Sequence, residues 1–239
     1  MTVPLLDRRR FIVATCALPL VEACAPLASR DPNAPADVAI VSLPIPAKLS
    51  LTIEKHPDTS TSIARALLFA GDVEKGVYLL TDALRSEPSA GEQFLATLVA
   101  TSERELADTL RRRGKTVTIA PYRDRIEFVS SYPALNARAE RIVDVIPRAL
   151  GYWSEYPARI YRPWVRLEYR IFDARTARNV ATGFIGTGGP PQEGQWTLVD
   201  AGERYAFETF EALVAEPVRA AEGLRVTVAR VAQALAGML

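Results

Sequence analysis

Between Trp164 and Phe172 the side chains alternate without a break. Val165, Leu167, Tyr169 and Ile171 share one side of an extended chain, and Trp164, Arg166, Glu168 and Arg170 share the other. A period of two over nine residues specifies a strand with two unlike faces, because a shift of one residue would send the apolar set to the wrong side. The turn residues of Asp173 to Asn179 and the apolar stretch Val180 to Ile185 complete an antiparallel hairpin. Elsewhere the period is helical. Phe94, Leu95, Leu98, Val99, Leu106 and Leu110 make one stripe over about residues 91–113, Arg111 to Arg113 suit its C-terminal end, and Gly114 can close it. The strand-forming run Thr116 to Tyr122 follows at once. Helix, glycine and strand in that order form the return limb of an α/β unit.

Other segments fit around these. Asp37 to Ile45 reads as a continuous apolar strand, and Leu49, Leu51 and Ile53 alternate as a second. His56-Pro57-Asp58 is a turn, after which Thr59 to Ser62 can cap a helix carrying Ile63, Ala66, Leu67 and Ala70. Residues 71–89 fit either a strand at Val77 to Leu80 or a helix ending near Arg85. Ile142 to Ile146 is a buried strand whose end Pro147 places near a sheet edge. Two helices close the chain, about Ala201–Ala215 and Glu216–Met238, with Pro217 in the first turn of the second. The expected fold is α+β: a single mixed β-sheet packed by helices, with a long antiparallel hairpin and two C-terminal helices.

The first two dozen residues state an address. Arg8, Arg9 and Arg10 precede an uncharged run from Phe11 to Val21, and Ala23-Cys24 follows. That is the layout of an export signal over residues 1–23, with an apolar run too short for the roughly 20 residues that span a bilayer. Val21-Glu22-Ala23-Cys24 resembles a bacterial lipobox, with Glu22 where a small residue is usual, and makes Cys24 the lipidation site. Plain signal-peptidase cleavage after Ala23 is the competing reading and gives a soluble periplasmic protein. Asp7 to Ile12 is similar to the twin-arginine consensus, although a strong basic region for general export accounts for the same residues. Ala25 follows the cysteine, and no Asp stands where an inner-membrane retention signal has one, which favours the outer membrane, periplasmic face. Residues 24–37, with three prolines, form a semi-extended tether, and 38–239 a single domain.

Composition removes several chemistries. Without residues 1–23 the chain carries 26 basic and 26 acidic residues, so no overall field steers it to nucleic acid. Cys16 and Cys24 both lie in the leader segment, and His56 is the single histidine, so Cys/His zinc sites and paired-histidine sites cannot be built. No metal and no cofactor is expected. His56 with Asp58 and Ser60 or Ser62 lacks the strand–elbow–helix context of a nucleophile, and is read as a turn histidine. Gly186 to Gly189 invites a phosphate-cradle reading, but Pro190 and Pro191 supply no backbone donors, so it is read as a flexible hairpin exit. No catalytic residue is assigned.

The most unusual stretch is Gly151 to Arg170. Tyr152, Trp153, Tyr161 and Trp164 are interleaved with Arg162, Arg166 and Arg170, residue types that anchor interfaces. These seven are the expected binding surface; the competing reading has the aromatics covering the sheet beneath helices, with the arginines snorkelling.

The sequence of elements resembles periplasmic lipoproteins with a TolB amino-terminal-domain-like core, a group that includes the curli-secretion lipoprotein and polysaccharide-export and penicillin-binding-protein activator lipoproteins. The matching features are the lipobox-like Cys24, the Pro-rich tether, the strand Val38–Ile45, the long helix into Gly114 and the strand Thr116–Ile119. Strand Trp164–Phe172 ends in Asp173-Ala174-Arg175-Thr176, similar to a D-x-x-T/S-G hairpin, with Ala177 in place of the glycine. The resemblance rests on no catalytic motif and implies an accessory or assembly role. The expected function is a non-catalytic lipoprotein of the cell envelope, joined to the membrane by its lipid and contacting an envelope protein or its own copies, with no nucleic-acid partner. The alternative is a periplasmic glycan-binding protein or a hydrolase using carboxylates such as Glu155, Glu168 or Asp173.

Overall fold

The computed structural model describes residues 36–53, 75–84, 93–122, 124–135, 137–154, 160–188 and 196–239. Among them the chain forms β1 (Ala36–Val41), β2 (Ser50–Ile53), α1 (75–84), α2 (Phe94–Arg112) and β3 (Val117–Ala120). Then come β4 (Ala139–Ser154), β5 (Tyr161–Asp173), β6 (Arg178–Gly186), β7 (Trp196–Leu198), α3 (Phe210–Ala215) and α4 (Pro217–Gly237). The strands make one mixed sheet in the order β3-β1-β4-β5-β6-β7, with β2 also paired to β4. The α+β class expected from the sequence is the one observed. Pro35–Leu239 forms one compact unit that contains this sheet and its core. The leader, Cys24, the tether up to residue 35, and His56 with its neighbours lie outside the described residues.

Strand β4 is the spine. Its first part pairs in parallel with β1, Ala36 beside Ala139 and Ile40 beside Val143, and its last four residues pair in parallel with β2, Ser50 beside Gly151. Along its other edge β5 runs antiparallel for the whole length, from Arg141–Asp173 to Ser154–Tyr161. Pro147 therefore does not end a strand that runs Ile142 to Ile146, as its ring suggested. It sits inside a sixteen-residue strand at a bulge between Pro147 and Ala149, in the stretch where neither β1 nor β2 pairs with β4. A missing N–H costs least at such a bulge. The bulge also switches which residues face the helices: Val143 and Val145 before it, Leu150 and Tyr152 after it.

One face of the sheet is buried by α2 and α4. The sequence stripe holds: Phe94, Leu98, Val99, Leu106 and Leu110 are buried, against Val38, Ile40, Val165, Leu167 and Tyr169 of the sheet and Leu224, Val228 and Val231 of α4. Burial of each large side chain contributes about 1.5–3 kcal/mol. The ambiguous segment at Val77 to Leu80 is helical, within α1. Gly114 closes α2 at φ +79°, donating its N–H to the Arg111 carbonyl.

The expected helix Ala201–Ala215 is not continuous. A short 3-10 turn, Glu203–Tyr205, gives way to extended chain in which Phe207 exchanges two backbone hydrogen bonds with Tyr161 (2.7 and 2.9 Å), and α3 starts afresh with Thr209 as its cap. Placing Phe207 in the core, edge-to-face on Tyr152, outweighs the local helical pattern. Among the described residues no helix is long and apolar enough to cross a membrane.

Candidate functional site

The face of the sheet turned away from α2 and α4 divides into two halves with different cover. Over the half formed by β1, the start of β4 and the end of β5 lies the connection that joins β3 to β4. Its Val129, Tyr132 and Leu135 pack on Ala39, Val41 and Ile142, with the Tyr132 and Phe172 rings 4.8 Å apart.

A carboxylate fastens this strap. Asp144, fully buried, accepts from the Val129 N–H (2.9 Å) and the Tyr132 hydroxyl (3.1 Å), and its other oxygen lies 2.6 Å from the buried Arg125 guanidinium. Arg125 also donates to the carbonyls of Tyr122 and Ser42, so the buried charge meets oxygen on several sides. Burial first, and the Asp144 charge second, push the Tyr132 phenol up to about 12.

Among the described residues, the half at the far ends of β4 and β5 has thinner cover. Trp164, Arg166 and Glu168 stand half-buried on β5; opposite the first two β4 presents only small residues, Gly151 to Trp164 and Ala149 to Arg166, and β6 presents Gly186 to Arg166. Arg166 lies 4.2 Å from the Phe184 ring centroid and 5.5 Å from that of Trp196, stacked on β6 and β7 by cation–π attraction. Its partial burial holds the guanidinium pKa below the usual value. Glu168 is engaged by Arg148 (2.6 Å), which also binds Glu127 (2.9 Å) and pulls that exposed carboxyl below its ordinary range. Arg170 caps the Phe128 ring at 4.2 Å. Three donors here, the indole N–H groups of Trp153 and Trp164 and Nε of Arg166, have no acceptor among the described residues.

The seven sequence-predicted residues are split by the pleat. Trp164, Arg166, Arg170 and Arg162 lie half-buried on the face away from the helices, as the alternation required. Tyr152 and Tyr161 do not belong to that surface. Tyr152 is fully buried under α4, donating to the Ala220 carbonyl (2.9 Å), and Tyr161 is core. Desolvation raises the Tyr152 phenol pKa strongly. Trp153 is on the correct face but only 8% exposed, with Gly188 against its ring. The reading that aromatics cover the sheet is therefore right for the two tyrosines and wrong for Trp164.

Glu168 and Asp173 do not converge, being five residues apart on one strand, about 17 Å. Asp173 accepts from the Thr176 N–H (2.7 Å) and hydroxyl in the hairpin turn, which keeps its carboxyl pKa low. Glu155 lies outside the described residues. Gly186 to Gly188 is not a loose exit: Thr187 is buried, its hydroxyl accepting from Val165 N–H and donating to the Pro163 carbonyl. Among the described residues no cluster of three or more His, Cys, Asp or Glu could hold a metal ion. The strap residues Arg125, Tyr132 and Asp144 escaped sequence reasoning. Their one signal is an aspartate inside the apolar run Ile142 to Ile146, since a buried charge requires a partner.

No family model matches the chain, and no curated protein matches it significantly. Among solved structures, a Xanthomonas campestris protein of family model DUF330 is 10% identical over 87% of each chain, with a TM-score of 0.41. PelC from Paraburkholderia phytofirmans, solved as a dodecamer, is 15% identical over 84% of this chain and 90% of that one, TM-score 0.33. The lipoprotein GNA1162 of Neisseria meningitidis is 13% identical over 64% and 81%, TM-score 0.21. Similarity at these scores carries no argument about this chain, and its functional reading rests on its own residues.

Proposed function

We propose that this chain is a non-catalytic lipoprotein of the bacterial envelope, exported, acylated at Cys24 and held at the periplasmic face of the outer membrane. Its α+β domain offers the thinly covered half of the sheet face, centred on Trp164 and Arg166, to an envelope protein or to a second copy. The leader sequence supports the location. A half-buried Trp164 opposite Gly151, beside an arginine on aromatic rings, supports the contact, because rigid aromatics and arginine give up little entropy when a partner covers them.

Labelled palmitate should enter the wild-type protein and fail to enter Cys24→Ser. Trp164→Ala should lose the partner recovered from membranes, or the self-association, at unchanged thermal stability. Absence of label in the wild type, or equal recovery by Trp164→Ala, overturns the corresponding half of the reading.

A glycan-binding reading is favoured by one observation, the two indole donors without acceptors among the described residues. It expects quenching of tryptophan fluorescence by an envelope glycan, reduced in Trp164→Phe.

A further inference from the structure

One end of the sheet is fixed by the start of β1 at Ala36, where the tether joins the domain. The register brings other elements to the same end. Val117 of β3 lies beside Val38, Ala139 of β4 beside Ala36, and Asp173, before the β5–β6 turn, beside Arg141. Both long helices finish there too. The Lys115 N–H bonds the Leu110 carbonyl at the end of α2, while Arg113 and Arg141 reach the Ala236 (2.6 Å) and Leu239 (3.1 Å) carbonyls at the end of α4.

Basic side chains collect at this end. Arg111 to Arg113 and Lys115 come from α2 and its exit, Arg138 and Arg141 from the start of β4, and Arg175 and Arg178 from the hairpin turn; all are exposed. Against these eight, among the described residues, stand Asp37, Asp108, Glu140 and Asp173, a surplus of four positive charges where residues 24–239 are neutral overall. Lys115, Arg138 and Arg178 make no ion pair among the described residues. Met238, 40% exposed, stands among them at the end of α4.

We propose that this end of the domain is a docking surface for anionic phospholipid headgroups, a proposal that rests on the Cys24 anchor only for how the surface is brought to the bilayer. Eleven residues separate Cys24 from Ala36, a reach of about 40 Å at full extension. The tether delivers this end to the bilayer ahead of the opposite one, and holds it at a high effective concentration there. Under that condition a modest charge surplus suffices, since each basic residue near an anionic surface adds a little and one membrane signal reinforces the other. The sheet then stands with its strands directed away from the membrane, and the Trp164 half of the open face, at the far ends of β4 and β5, is left clear for a partner.

The test uses residues 35–239, the compact unit without leader or lipid, in co-sedimentation with vesicles. Vesicles containing phosphatidylglycerol or cardiolipin should bind it at low salt, pure phosphatidylcholine vesicles should not, and about 0.5 M salt should abolish binding. Replacing Lys115, Arg138, Arg175 and Arg178 by Gln should weaken binding by roughly tenfold or more with an unchanged melting curve. Replacing Lys48, Lys75, Arg104 and Arg204 by Gln, the same loss of charge elsewhere on the surface, should leave it intact. Equal binding to neutral vesicles, an equal loss in the second variant, or no vesicle binding alongside retention on an immobilised acidic polysaccharide would each overturn the proposal. Palmitate labelling is scored separately. A protein that binds anionic vesicles but takes up no palmitate keeps this inference and loses the anchor, and the reverse pattern does the opposite.

Discussion

Replacing Asp144 by Ala would leave the buried Arg125 guanidinium with carbonyl oxygens but no counter-charge, and would strip Val129 N–H and the Tyr132 hydroxyl of their acceptor. The expected loss is about 3–5 kcal/mol in urea unfolding. The double variant Arg125→Met, Asp144→Leu should recover most of it, because removing both charges removes the desolvation problem with them. At Ala177 the effect has the opposite sign. It is the single non-glycine residue at positive φ among those described, +55°, in the β5–β6 turn. Ala177→Gly relieves the Cβ clash at some cost in unfolded-chain entropy, and should raise stability by up to about 1 kcal/mol in the same measurement.

Elements in this fold depend on a few close approaches. Strand β2 lies so near β4 that a Cβ on Gly151 would overlap the Ser50 carbonyl oxygen. Gly151→Ala should therefore cost about 2–3 kcal/mol and specifically speed amide exchange in β2. The strap over the open face carries a pH dependence. Tyr132 titrates near 10 when unfolded and near 12 when folded, so its contribution to stability is complete below pH 10 and is lost as the pH rises towards 12. Thermal melts of Tyr132→Phe should fall less steeply than wild type across that interval. An identical slope would show that the strap has already been released by another group.

For the whole molecule, folding and location rest on different forces. The core is apolar and residues 35–239 are neutral overall, so their melting temperature should change by only a few degrees between low and about 0.5 M salt. Over the same range the association with anionic vesicles should disappear. A fold that was itself strongly salt-sensitive would mean that the arginine-rich end contributes to packing rather than to docking.

The sequence alone determined the α+β class, the hairpin at Trp164–Ile185, the buried stripe of α2 and the glycine that closes it. Each of these is written in a local period or a local end signal. The tertiary structure decided what no period can hold. The bulge at Pro147 exchanges the faces of β4 halfway along, which sends Tyr152 inward although its neighbours in sequence read as surface. Phe207 enters the core from extended chain because its partners, Tyr152 and Tyr161, lie more than forty residues away. The partners of Asp144 and the gathering of eight basic residues at one end are likewise products of pairing register. Charge and burial at a point in space are sums over segments that the chain brings together only when it folds.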